Sequence, residues 1–289
     1  MRATHLPNVE LRCYKIETKS KFPDSAKHCK HCRFLQGEDL SGILPPALVK
    51  LPYLKLISLS RNYLSGNIPR EWASMQLEHM SFTVNNLSGP IPSFLGNITT
   101  LQYLSIENNL FSGTIPPELG NLVNLEILRI SSNYFTRKIP DFFQSWTQLE
   151  TLEIEGSGLK GPIPSSMSVL KNLIELRISD LEGEGSLFPP LMNMTKMMQL
   201  TLSSCNISGE IPSYISKMTN LRILDLSFNR LKKEIQELES PVNLMNMYLT
   251  SNLLTGVIPN WMRNCERNID LSYNNLTWSS EDTCTGTKL

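Results

Sequence analysis

Residues 54–69, LKLISLSRNYLSGNIP, and residues 101–116, LQYLSIENNLFSGTIP, superpose without a gap. Each begins with apolar residues at LxxLxLxx spacing, reaches an Asn, and closes with a second apolar element ending in Ile-Pro. With the Asn as marker, equivalent positions recur at Glu38, Asn62, Asn85, Asn109, Asn133, Ser157, Leu181, Cys205, Asn229, Asn252 and Asn274. These define eleven units, and the six successive spacings from Asn85 to Asn229 are all 24 residues. A fixed period of this length marks stacked structural repeats, in which each unit buries its apolar face only against its neighbours.

The unit reads LxxLxLxxNxLxGxIPxxLxxL, the pattern of a leucine-rich repeat with a plant-type second half. In LxxLxLxx, Leu125, Leu128 and Ile130 point to one side of a short strand, so stacking the units predicts a parallel sheet with leucines inside. The expected fold class is an α/β-type solenoid: a right-handed leucine-rich repeat superhelix of about eleven repeats, with a short parallel β-sheet on the concave face and a convex side of 3-10 turns. The marker Asn carries both donors and an acceptor, and so can satisfy backbone groups where the chain leaves the strand. Ser157 can do part of that work, Cys205 is a tolerated substitute, and Leu181 can do none of it. The Gly of LxGxIP suits a positive φ and the Pro fixes the turn. Arg137 and Lys233 replace that Gly, so they are expected at ordinary negative φ with a reshaped turn.

Across 289 residues, 27 Lys and Arg balance 27 Asp and Glu. That neutrality disfavours nucleic acid as a partner, since phosphate binding needs a basic excess. No apolar run is long enough to span a bilayer, so membrane contact within this chain is not expected. The opening MRATHLPNVELRC lacks the apolar stretch of a secretory signal. The expected organisation is an N-terminal cap or leader at 1–34, the solenoid at 35–278, and a tail or cap at 279–289. Of the six cysteines, Cys13, Cys29 and Cys32 precede the array, Cys265 and Cys284 close it, and Cys205 lies inside as a buried thiol. The outer five are disulfide candidates that would cap the solenoid in an oxidising compartment. Cys265 would pair with Cys284, and two of the N-terminal three with each other. The cluster His28-Cys29-Lys30-His31-Cys32 has zinc-like spacing without a complete tetrahedral set, so no metal is expected. Five N-glycosylation triplets begin at Asn86, Asn97, Asn193, Asn206 and Asn275, all placed by the repeat on turns or connecting segments.

No nucleophile with a base, paired carboxylates, metal spacing or phosphate-cradling glycine loop is visible, so neither an enzyme nor a cofactor is expected. His79, the sole histidine on the array, reads as a surface residue. Binding is the function left. Positions four before each marker project from the concave face: Ser58, Ser81, Ser105, Arg129, Glu153, Arg177, Thr201, Asp225, Tyr248 and Asp270. Arg129, Glu153 and Arg177 then form an alternating charged row, flanked by Tyr103, Glu107, Glu155, Glu175 and Asp180, with a serine-rich beginning. These eight residues from Tyr103 to Asp180 are the candidate ligand-binding set. Either the charges compensate one another, or a ligand displaces the pairs and takes the guanidinium forks. Reversing Arg129 and Arg177 to Glu is expected to leave the melting temperature nearly unchanged.

Three stretches, LSGILPPAL at 40–48, LRISDLEGEGSLFPPLMNM at 176–194 and DLSYNNLTW at 270–278 before Cys284, make the sequence similar to the ectodomain of plant leucine-rich repeat receptor-like serine/threonine kinases of the malectin-containing group. The resemblance implies a non-catalytic extracellular recognition module in signalling, on the outer face of the plasma membrane. Its implied partners are a peptide, protein or cell-wall glycan ligand and a co-receptor. No kinase residue can be carried onto this chain, which reads as a fragment without signal peptide, malectin-like domain, membrane helix or kinase. The alternatives are a secreted protein similar to polygalacturonase inhibitors, or a truncated product or intracellular scaffold.

Overall fold

The computed structural model describes residues 32–236, 243–263 and 267–277. One parallel sheet of eleven strands runs in sequence order along the concave face, from Cys32–Phe34 to Asn268–Asp270, one strand per coil. The register is that of the repeat, with Leu104 opposite Leu128 and Leu128 opposite Leu152. Leu125, Leu128 and Ile130 are buried, and the same slots fill a single continuous core from Leu44 to Met262. Opposite the sheet, five-residue 3-10 turns such as Ser93–Asn97, Pro117–Asn121 and Ser213–Lys217 each follow an extended Pro whose carbonyl accepts the turn's first hydrogen bond.

The marker Asn joins adjacent coils. Asn109 is buried; its Nδ2 donates to the carbonyls of Phe82 in the preceding coil at 2.8 Å and Ile106 in its own at 3.1 Å. Its Oδ1 accepts the amide of Leu87, again in the preceding coil, at 3.0 Å. Asn62, Asn85, Asn133, Asn229, Asn252 and Asn274 repeat this arrangement on Leu40, Leu64, Phe111, Ile207, Leu231 and Leu254. Each carboxamide thus satisfies backbone groups that would otherwise be buried unpaired, a cost of about 1–3 kcal/mol per group.

That ladder breaks at three successive coils. The Ser157 hydroxyl accepts only the Leu159 amide of its own coil, at 3.3 Å. Leu181 offers only a buried apolar side chain. The Cys205 thiol is directed at the carbonyls of Ile178 and Ser203, and burial pushes its pKa up to about 12, so it stays protonated. Here the concave strands lengthen: Thr151–Glu155, Glu175–Ser179 and Gln199–Ser203 pair over five residues each, where most of the others pair over three. Of the amides that an asparagine would hold, Phe135 donates to the Ser157 carbonyl at 2.9 Å, and Leu159 has only the Ser157 hydroxyl.

The LxGxIP segment is itself paired, a feature that reading it as a turn did not anticipate. It forms two lateral parallel sheets of five strands, the first from Ser41–Ile43 to Tyr134–Phe135 and the second from Ser186–Leu187 to Asn275–Thr277. Between them only the bridges Lys138 to Lys160 and Lys160 to Glu182 remain.

The expectation for Arg137 and Lys233 is overturned: they sit at φ 74° and 69°, the same left-handed conformation as Gly66 and Gly113. Neighbouring coils hydrogen-bond on both sides of the turn, and so impose its backbone whatever the side chain. A second left-handed position precedes the marker in coil after coil. Arg61, Val84, Asn108, Ser132, Asp180, Phe228 and Tyr273 all occupy it. An L-residue there carries about 1–2 kcal/mol of strain. Arg137→Gly is therefore expected to stabilise the protein by about 1 kcal/mol, read as a higher urea midpoint; a lower midpoint would contradict an imposed turn.

Candidate functional site on the concave face

Cross-strand register sets Arg129, Glu153 and Arg177 in one row. Arg129 Nε donates to Glu153 Oε1 at 2.8 Å, and Glu153 is buried. Arg177 does not pair with Glu153. Its two terminal nitrogens meet Glu155 on the adjacent strand at 2.7 Å and Glu175, two residues earlier on its own strand, at 3.7 Å. The Nε of Arg177 is buried with no acceptor among the described residues.

Tyr103 joins the row from the adjacent coil, its hydroxyl 3.4 Å from Arg129 Nη1. Its ring stacks on His79, with centroids 3.9 Å apart and planes 15° from parallel. His79 is thus a half-buried member of the site and not the exposed residue its isolation in the sequence suggested; its cross-strand position opposite Tyr103 was the available signal. Glu107 and Glu155 are half-buried, and burial raises both carboxyl pKa values; Glu153 adds to the effect at Glu107, and Arg177 opposes it at Glu155. Asp180 stands apart at the turn, accepting from Ser179 Oγ at 2.7 Å. Neither Glu107 nor Asp180 forms an ion pair among the described residues.

Two expectations need correction. The serine-rich beginning is not an open surface: Ser58, Ser81 and Ser105 are buried, and the latter two share hydrogen bonds with Ser60 and Thr83. Reversal of Arg129 to Glu would also not be neutral, because it would set a second carboxylate against buried Glu153.

Asn86, Asn97, Asn193 and Asn275 are exposed. Asn206 is half-buried, and its amide donates to the Gly183 carbonyl at 3.2 Å. Cys13, Cys29, Cys265 and Cys284, the side chain of Cys32, and most of the two proposed end segments lie outside the described residues. No group of three metal-ligating side chains occurs among the described residues, and no described helix is long and apolar enough to cross a membrane.

A family model described as a leucine-rich repeat region matches residues 75–280, and a single leucine-rich repeat model matches residues 53–75. The chain belongs to the leucine-rich repeat family. One relative, named "Probable LRR receptor-like serine/threonine-protein kinase" from Arabidopsis thaliana, is 48% identical over 68 residues, covering 24% of this chain and 7% of the relative. Among solved structures, the chain is similar to the ectodomain of the plant membrane receptor kinase GASSHO1/SCHENGEN3 from Arabidopsis thaliana, in complex with CASPARIAN STRIP INTEGRITY FACTOR 2. The TM-score is 0.76 at 30% identity, over 85% of this chain and 30% of that one. It is likewise similar to the Arabidopsis receptor kinase HAESA, solved with the peptide hormone IDA and the co-receptor SERK1. There the TM-score is 0.75 at 32% identity, over 82% of this chain and 40% of the neighbour. The chain therefore spans well under half the length of these proteins, and what it shares with them is the repeat ectodomain.

The His79 stack gives the site a pH signature. Burial lowers the His79 pKa from 6.5 to about 4, so the unfolded chain takes up a proton in that interval that the folded one refuses. Stability from this group is complete above about pH 6.5 and is lost as pH falls toward 4. The raised carboxyl values of Glu107 and Glu155 act in the opposite sense, so the readout is a difference. The stability gap between the native protein and His79→Gln should change by about 2–3 kcal/mol between pH 7 and pH 4.5. A pH-independent gap in urea titrations would contradict a buried neutral imidazole.

Proposed function

We propose that the chain is a non-catalytic recognition module, the ligand-binding repeat region of a plant receptor-like serine/threonine kinase, and that it binds a peptide or protein across the concave face between Tyr103 and Asp180. The observation that carries this reading is an excess of acidic over basic side chains on that face. The chain as a whole is neutral. Yet Glu107, Glu153, Glu155 and Glu175 share a few adjacent coils with only Arg129 and Arg177, Asp180 lies at the turn beyond them, and the ion pairs do not use them all. Internal compensation explains pairs; it does not explain the surplus.

The surplus favours a ligand with charged groups over a hydroxyl-rich cell-wall glycan, which gains little from fixed carboxylates. The structural neighbours support a peptide, since HAESA was solved with a peptide hormone and a co-receptor. A docking co-receptor, and a malectin-like domain, membrane helix and kinase accompanying the repeats in the whole protein, belong to the same proposal. So does an extracellular location, with glycans at the exposed Asn86, Asn97, Asn193 and Asn275 and little at Asn206, and with disulfide caps drawn from Cys13, Cys29, Cys32, Cys265 and Cys284.

The full chain can be panned against a displayed random-peptide library, and the selected peptides measured calorimetrically against three variants. Removing a pair whole, as Arg129→Gln with Glu153→Gln, leaves no orphaned buried charge; Arg177→Gln tests the other guanidinium. Each should weaken the selected peptides about tenfold or more, while Lys232→Gln on the lateral surface should not. Equal affinity in all three variants would contradict a concave site.

A further inference from the structure

The concave face carries a second group of side chains, three strands beyond Arg177. The segments DLSFN at 225–229 and DLSYN at 270–274 flank YLTSN at 248–252. Register sets Asp225, Tyr248 and Asp270 side by side on adjacent strands. The three coils expose a ring each: Tyr248 at 36%, Phe228 at 58% and Tyr273 at 83% of full accessibility, the last two at the turns that follow the aspartates. Tyr248 projects from an inner strand, and Phe228 and Tyr273 fill the left-handed turn slot that is also open at Val84, so three successive coils each present an exposed ring.

Asp225 Oδ1 accepts from the Ser227 amide at 2.9 Å and its hydroxyl at 2.6 Å. Asp270 Oδ1 does the same with Ser272, at 3.0 and 2.6 Å. Each carboxylate is thereby held in place through one oxygen, and neither is in an ion pair with a described Lys or Arg. Strands lie about 4.8 Å apart, so the two strands carrying the aspartates flank the strand of Tyr248 at about that distance on either side. An aromatic face with a fixed carboxylate on either side attracts a cation twice over, through the ring quadrupole and through charge. An anionic group would be repelled there, and a purely apolar one would cover both carboxylates without offering an opposite charge.

We propose that Asp225, Tyr248 and Asp270, with Phe228 and Tyr273 at the rim, form a subsite for a lysine or arginine side chain of a bound peptide. The subsite rests on the concave-face reading above and extends it. From Arg177 to Tyr248 is about 14 Å across the strands, so an extended peptide contacting both places would present its basic residue four to five positions from the residue at Arg177, at about 3.3 Å per residue.

Hexa-arginine amide is the probe, titrated calorimetrically into the full chain at low ionic strength, where charge interactions are least screened. Asp225→Asn with Asp270→Asn keeps the oxygens that accept from Ser227 and Ser272, so the turns persist while the charge is removed. That double variant should weaken hexa-arginine about tenfold or more. Tyr248→Leu, which leaves the charge untouched, should weaken it about two- to fivefold, the size of an exposed cation–π contact. If the aspartate variant binds as the native chain does while Glu155→Gln with Glu175→Gln binds more weakly, the subsite is overturned and the concave-face reading stands. If neither variant set matters, the probe binds elsewhere and both readings fail for cationic peptides. If hexa-arginine does not bind the native chain at all, the subsite alone is overturned, because selected peptides test the central patch independently.

Discussion

The side-chain amide of the repeat asparagine is the constraint on which the solenoid rests. A coil that leaves its strand must turn, and the turn leaves backbone carbonyls and amides inside the stack, out of reach of the sheet ladder and of water. One carboxamide has the inventory to meet them, with two donors and one acceptor, and at Asn109 it meets groups in its own coil and in the one before. Because the bonds cross the coil boundary, they set the spacing and rotation between repeats as well as closing the turn. Leucines supply the bulk of the favourable free energy, but apolar burial is non-directional and would tolerate slippage. The amides do not.

Where this ladder lapses, at Ser157, Leu181 and Cys205, the solenoid changes in three ways at once. The concave strands lengthen, the lateral sheet is interrupted, and no 3-10 helix forms between Ser165–Val169 and Ser213–Lys217. The charged patch overlaps the first two of these coils, through Glu153, Glu155, Glu175 and Arg177. Glu155, in the stretch that the longer pairing adds, and Glu175, in a slot that every coil's strand contains, both meet Arg177.

Much of this could be read in the sequence, for a physical reason. A period of 24 residues, maintained from Asn85 to Asn229, fixes strand register, so Arg129 and Glu153 had to be neighbours. What stayed hidden depends on side-chain reach and on backbone conformation imposed by neighbours. Period alone cannot say that Arg177 turns to Glu155 instead of Glu153, or that His79 lies flat on Tyr103. Nor can it show that Arg137, Lys233, Val84 and Phe228 are held at positive φ, because residue type signals that conformation only when glycine or asparagine occupies it. The lateral sheets are hidden for a similar reason: a Gly-Pro-flanked segment reads as a turn until a neighbouring copy pairs with it.

The amide two residues after each marker occupies the same buried slot in successive coils. At Leu87, Phe111 and Leu231 it is bonded to the asparagine of the next coil, and at Leu159 only to the local serine hydroxyl. Native-state hydrogen exchange at these four positions tests the central claim directly. The three asparagine-bonded amides should exchange only through large-scale opening of the array, and Leu159 about a hundredfold faster through local opening. Equal protection at all four would show that the leucines alone hold the coils in register.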